Sequence, residues 1–465
     1  MTDKVLITTA IDYANDVIHI GHAYQKVLAD VFARFYRLDG KKVFFVTGTD
    51  EHGGNIEKIA HEKQMAVADY VNQISEADKK EIDVLDVSYD RFIKTTDEDH
   101  KATATEFWKK ISSKGEIYLK SFEGKYCLSC EAFKSPSEMV DGHCDIHKTK
   151  ELVDHKEENY FFKWSNYQKF LLDFFEQNKD FVLPENRYKE MYNFLSAGLE
   201  DISISRQGIK WGVPVPSDPD QVMYVWFDAL INYYTAGQKT GFWDNDTTII
   251  HFIGKDNLRW HALLWPAMLQ AADLKLPNTV FAHDFINIDG NKVSKTLGNI
   301  IRPSELTDEF GSEAIRYFFL KRGPLYNDVD ISKDKIKEVY HADLANGLGN
   351  LVQRLSKIAN SAAYVNKNKA VGFSQVIKDN FKLFKIGDCV QNIQERIDQE
   401  NRFINDVTLW KKEGQELKND LDRCFINLSQ IVYDLQPFMP KTAKEINSRI
   451  ADEVQFGEPL FKRIT

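Results

Sequence analysis

Along the first hundred residues, short apolar runs alternate with stretches whose apolar positions recur every three or four residues. Val5 to Ile7 reads as a buried strand, and Val27, Leu28, Val31, Phe32 and Phe35 mark one face of a helix starting near Gly21. Lys42 to Thr47 (KVFFVT) is the second short run. Strand, helix and strand in that order predict an α/β fold with a parallel, doubly wound sheet, whose ligands collect at the carboxyl ends of the strands. Between Lys114 and His147 the pattern becomes short and turn-rich, as in an insertion. Strand-like runs return at Val222 to Trp226 and Thr248 to Ile253, followed by a helix carrying His261, Leu264 and Trp265. From about Ser332 strands vanish, while Leu344, Leu348, Leu351, Val352, Leu355, Ile358 and Ala359 keep a helical stripe. An α-helical bundle is the economical reading of that end.

Two turns interrupt the pattern with groups suited to phosphate. His19-Ile20-Gly21-His22 stands where a strand feeds a helix N-terminus, so two imidazoles join free backbone N–H groups and the helix dipole. Gly21 between them lets a flat ring such as adenine approach the backbone. Lys292-Val293-Ser294-Lys295-Thr296 follows the turn Asp289-Gly290-Asn291, and its lysines are mobile point charges able to clamp a polyphosphate. Each alone has a plain alternative, surface histidines in one case and a solvated lysine loop in the other. A third cluster is more specific. Cys127, Cys130, Cys144 and His147 give C-x2-C-x13-C-x2-H, in which each pair offers two ligands from one tight turn. Four such ligands close one tetrahedral zinc site with no open position, a structural metal rather than a catalytic one. His143 is the only rival for the fourth ligand.

Composition narrows the class. The 465 residues are 43% hydrophobic and 28% charged, ordinary for a soluble protein of several domains. No basic-then-apolar leader and no apolar run of membrane-spanning length is present, so a cytoplasmic protein away from membranes is expected. A net charge of −10 excludes a general nucleic-acid coat but allows a local basic surface for one RNA. In that compartment five cysteines read as thiols or metal ligands, not a disulfide frame.

HIGH and KVSKT together resemble the HIGH and KMSKS signatures of class I aminoacyl-tRNA synthetases, with Val293 where the commonest form has Met. GTDEHG (Gly48 to Gly53), EENYFF (Glu157 to Phe162), ISISRQ (Ile202 to Gln207), VWFDAL (Val225 to Leu230) and HFIGKD (His251 to Asp256) are similar to the methionyl-tRNA synthetase branch. The likeness runs from about Ile7 to about Pro440. It implies a catalytic nucleotide-binding fold in two halves, 1–108 and 201–270, around a zinc-bearing connective insertion, 109–200. Residues 271–331 would hold the KVSKT loop and linker, and 332–465 the helical anticodon-binding domain. It implies the substrates ATP, brought with Mg²⁺, L-methionine and tRNA(Met). His19, His22, Lys292 and Lys295 would act on the reacting phosphates, with Gly21 and Ser294 completing the ATP site. Ile11, Tyr13, Asp50, Arg206, Trp226, Ala229, Leu230, Tyr233, Asn257 and His261 would surround methionine. In this set Asp50 takes the ammonium, supported by Arg206, and a tyrosine hydroxyl and an imidazole can offer the sulfur a weak donor. Asn257 departs from the branch, where an apolar residue is usual, so its amide either lines the pocket or turns to Asp256 or Arg259. Asn350, Arg354 and Trp410 would read the anticodon, against the alternative of a solvated Asn/Arg face and a core tryptophan. The dimerising extension of some relatives is missing, so a monomer is expected. The competing functions are a synthetase of a neighbouring branch, a catalytically silent tRNA-binding protein, and a small nucleotidylyltransferase sharing H-x-G-H.

Overall fold

A computed structural model describes residues 2–464 except 130, 131, 135, 147, 149, 150, 289 and 293–299, and at residues 122, 132, 133, 137, 155–157 and 292 the main chain only. The chain divides into two compact units. The first comprises Met1–Ile18, Val43–Lys80 and Tyr89–Ala282, and the second His19–Lys42, Glu81–Ser88 and His283–Thr465.

The first unit is built on a seven-stranded sheet. Its order is Val182–Leu183, Thr279–His283, Thr247–Gly254, Lys4–Thr9, Lys42–Asp50, Asp12–Tyr13, with Arg91–Lys94 also on Lys42–Asp50. The pairings Lys4↔Thr247, Val46↔Arg91, Tyr13↔Asp50 and Val182↔Val280 are all parallel. All eight residues of Thr247–Gly254 (TTIIHFIG) are buried, as in a strand covered on both faces, and so its apolar residues do not alternate with exposed polar ones. Strand Lys42–Asp50 carries the predicted run three residues further, through Gly48 to Asp50. A side chain at Gly48 would meet the Ile93 carbonyl at 1.8 Å, so only glycine lets these two strands close. From this body the antiparallel pair Ile117–Cys127 and Val153–Phe162 projects, in register from Ile117↔Phe162 to Tyr126↔Val153. One expected strand is corrected: Val222 to Trp226 is the end of strand Asp218–Met223 followed by helix Val225–Leu230. The apolar run spans both elements, so its composition hid the change of period.

The second unit is helical around Ile20–Leu38, Ile386–Asp406 and Gly414–Leu435. Phe35 stacks on Phe381 at 3.8 Å and Phe32 on Phe384 at 4.9 Å, joining the first helix to the C-terminal ones. Arg316, fully buried, donates to the carbonyls of Leu85, Pro437 and Phe438 and pairs with the equally buried Asp30 at 2.7 Å. Removing either partner would strand a buried charge, at about 3–5 kcal/mol. Strands do not vanish after Ser332: Val365–Asn366 pairs antiparallel with Asp452–Glu453. Two residues are too few for alternation to register in a sequence.

Candidate active site

In the first unit the residues expected around methionine lie at or near the ends of the sheet strands. Parallel register sets Tyr13 beside Asp50, and the Ala14 N–H donates to the Asp50 carbonyl at 2.8 Å. The Asp50 carboxylate accepts from Thr95 Oγ1 and the His52 N–H, each at 3.4 Å. Next to it, Glu51 is buried and accepts from Thr49 Oγ1 at 3.1 Å, and its carbonyl takes the Trp211 Nε1–H at 2.5 Å. Arg206, on strand Ser205–Gln207, donates to Ser203 Oγ at 2.8 Å and to the Ser205 carbonyl at 2.7 Å, with its guanidinium 4.1 Å above the Tyr224 ring. The expected support of Asp50 by Arg206 stays a proposal.

The apolar side comes from helix Val225–Leu230 and the turn after strand Thr247–Gly254. Leu230 and Tyr233 belong to the main core of the unit, with half-buried Ile11 and Trp226 packed against it, and Ala229 is buried beside them. Trp226 stacks on Trp260 at 5.1 Å and meets His261 edge-on at 6.3 Å. His261 sits in a π-helical turn, Trp260–Leu264, where the Trp265 N–H reaches back five residues to the Trp260 carbonyl. Pro266 follows, with no N–H for the ordinary bond to Ala262, so the backbone widens here.

The hydrogen bonds of that turn fix a tautomer. His261 Nδ1 faces the Asn257 carbonyl at 2.9 Å, and a carbonyl only accepts, so Nδ1 carries the hydrogen. Burial lowers the pKa of His261 to about 4, leaving the ring neutral and Nε2 an acceptor. The Tyr233 hydroxyl therefore donates to Nε2, at 2.6 Å. Burial, with the charges of Asp12 and Asp50, holds the Tyr233 phenol far above its usual range. The weak donors expected for the sulfur are thus engaged within the protein: the Tyr233 hydrogen goes to His261, and the His261 hydrogen to Asn257. A thioether would meet polarizable aromatic surface instead. Asn257 makes no side-chain hydrogen bond to Asp256 or Arg259 among the described residues. Its half-buried amide makes no hydrogen bond among the described residues, and Arg259 donates to Glu138 at 3.0 Å instead. What position 257 supplies is the carbonyl that orients His261, a main-chain role that no side-chain pattern announces.

In the second unit His19 is the N-cap of helix Ile20–Leu38. Its Nδ1 accepts the Gly21 N–H at 3.0 Å, while His22 Nδ1 accepts the His19 N–H at 3.3 Å, and the rings lie 4.0 Å apart. With Nδ1 accepting, the hydrogen of each ring is on Nε2. The room left by Gly21 is taken by the His19 ring: a Cβ there would lie 2.9 Å from His19 Cε1. The main chain of Lys292 pairs antiparallel with Asn287, and Ser294 and Lys295 lie outside the described residues. Of the metal set, Cys127 and Cys144 are buried at strand ends, while Cys130 and His147 lie outside the described residues.

Asn350 Nδ2 donates to Asn401 Oδ1 at 3.3 Å, and one turn on Arg354 Nη2 donates to Asn405 Oδ1 at 2.7 Å. Arg354 lies 5.6 Å above the Trp410 ring, which is 52% exposed and so not a core residue. The three residues thus share one face, and a groove of about 1590 Å³ beside it is lined by Arg354, Lys357, Tyr364, Trp410 and Lys418.

The family model described as tRNA synthetases class I (M) matches residues 5–151 and 134–356. The methionine–tRNA ligase of Caldanaerobacter subterraneus subsp. tengcongensis is 39% identical over 96% of this chain and 74% of its own length. That of Nostoc sp. is 37% identical over 97% and 91%. The chain belongs to the methionyl-tRNA synthetase family. A solved member, the Mycobacterium tuberculosis methionyl-tRNA synthetase in complex with methionyl-adenylate, superposes with a TM-score of 0.89 at 32% identity, covering 99% of each chain. The family fold of an α/β nucleotide-binding part with a helical part is the one described above. Among the described helices, none is long and apolar enough to cross a membrane.

Proposed function

We propose that the chain is a methionine–tRNA ligase, joining methionine and ATP into methionyl-adenylate and pyrophosphate and passing the methionyl group to the terminal adenosine of tRNA(Met). The observation that carries this is the pocket chemistry, a buried carboxylate at Asp50 and an aromatic wall whose Tyr233–His261 pair has its own hydrogens committed. Such a pocket suits an ammonium at one end and a thioether at the other, and leaves a side chain that needs a hydrogen-bond donor unsatisfied. Asp50, with Arg206 in support, takes the ammonium. Ile11, Tyr13, Trp226, Ala229, Leu230, Tyr233 and His261 enclose the rest, and Asn257 orients His261. The Nε2–H groups of His19 and His22 donate to the ATP phosphates, Lys292 and Lys295 neutralise charge as the α-phosphate is attacked in line, and Gly21 and Ser294 complete the ATP site. Mg²⁺ arrives with the ATP phosphates. Asn350, Arg354 and Trp410 hold and stack the splayed anticodon bases.

The segment division 1–108, 109–200, 201–270, 271–331 and 332–465 is part of this reading. So is one structural zinc on Cys127, Cys130, Cys144 and His147. The donor chemistry fits, since two buried thiols at strand ends in a turn-rich arm are what a soft cation selects. Metal analysis of fresh protein should give one equivalent of zinc, and Cys144→Ala should lose it.

ATP–pyrophosphate exchange run with each amino acid in turn tests the function. Methionine alone should support it, and exchange with another amino acid would move the chain to a neighbouring branch.

A further inference from the structure

Beneath the pocket lies a charged cluster that the reading above leaves without a task. Asp228, 0% exposed, accepts from His52 Nδ1 at 2.6 Å through Oδ2 and from His100 Nε2 at 2.8 Å through Oδ1. The three residues come from separate elements. His52 follows strand Lys42–Asp50, His100 lies in helix Glu98–Ser113, and Asp228 lies in helix Val225–Leu230. Burial alone would raise the Asp228 carboxyl, but the charges of His52 and His100 outweigh it and hold the group below the usual carboxylate range. A carboxylate only accepts, so both facing ring nitrogens carry hydrogen. On its far side His100 Nδ1 lies 3.3 Å from Thr235 Oγ1, whose own hydrogen goes to the Ile231 carbonyl at 3.0 Å. His100 thus ties Asp228 to Thr235 on the next helix, Asn232–Thr240.

A carboxylate buried between two histidines is costly to assemble and weak evidence of stability for its own sake. Its ends explain its place. The His52 N–H donates to the Asp50 carboxylate at 3.4 Å, and Asp228 lies in the same helical turns as Trp226, Ala229 and Leu230. We propose that Asp228, through His52 and His100, clamps the Asp50 turn to the helix bearing the aromatic wall, fixing the distance between the ammonium acceptor and the thioether pocket. These are positioning residues, since none of them is assigned a contact with substrate. The inference rests on the methionine reading of the pocket.

The test is the same exchange assay with conservative pairs. Asparagine keeps an amide nitrogen where Nδ1 sits, and glutamine one where Nε2 sits. His52→Ala should raise the methionine KM about tenfold or more, with kcat within about threefold and the ATP KM within about twofold. His52→Asn should return the methionine KM to within about threefold of the unaltered protein. His100→Ala and His100→Gln should repeat the pattern, which keeps the test open if one alanine variant does not fold. A methionine KM unmoved by both alanine variants would overturn the clamp. So would equal losses for methionine and ATP, or asparagine and glutamine variants as impaired as the alanines. Failure of the unaltered protein to exchange with methionine would instead overturn the ligase reading.

Discussion

The histidines at the helix start and the histidine of the pocket carry their hydrogens on opposite nitrogens. At His19 and His22, Nδ1 meets a backbone N–H, so it accepts and Nε2 is left as the donor. At His261, Nδ1 meets a backbone carbonyl, so it donates and Nε2 accepts. One side chain thus serves as a donor pair suited to phosphate in one region and as an acceptor that takes up a tyrosine hydrogen in the other. The main-chain atom opposite Nδ1 decides which.

The largest expected effect breaks the first half of that comparison. His19→Asn replaces the cap with one of the best N-cap residues and should leave stability within about 0.5 kcal/mol. It removes the Nε2–H, however, and the adenylate-forming rate should fall by roughly two orders of magnitude, the size of one lost transition-state donor. Stopped-flow kinetics beside a melting curve would separate cap from donor. If rate and stability fall together, His19 is only a cap.

The second half predicts a pH response. The His261 pKa is lowered to about 4, and an unfolded histidine takes up its proton near 6.5, so below that pH the unfolded chain binds more protons. The stability held at neutral pH is lost as pH falls from about 6.5 toward 4, with roughly 2 kcal/mol gone by pH 5 from this residue alone. His251, also buried and also lowered, adds to the loss with the same sign. Denaturant unfolding at pH 7 and 5, for the unaltered protein and His261→Gln, measures the difference. Equal pH slopes in the two proteins would contradict it.

Much of the site was legible before any coordinates. GTDEHG put Asp50 at the carboxyl end of a strand, VWFDAL carried Trp226, and HFIGKD closed the strand that precedes the turn of His261. The tautomers were not legible, since they depend on carbonyl and amide directions. Nor was the π-helical turn around His261, which follows from Pro266 only once the helix is known to run through it. Exposure spoke against a core position for Trp410, one of the two readings the sequence left open.

Two smaller effects sharpen the contrast between dry and open aromatic sites. Tyr233→Phe leaves His261 Nε2 buried without its donor, at about 1–3 kcal/mol, and should raise the methionine KM by about tenfold in the exchange assay. Trp410→Ala, at an exposed ring, should lower kcat/KM for tRNA charging about tenfold, the low end of base stacking, with exchange and melting temperature unchanged. An earlier melt with both reactions reduced would return Trp410 to a packing role.

Neutron diffraction from a deuterium-exchanged crystal locates the imidazole hydrogens directly. Deuterium is expected on Nδ1 and not on Nε2 of His261, and on Nε2 of His19 and His22. Deuterium on His261 Nε2, or on Nδ1 of either helix-start histidine, would contradict these assignments.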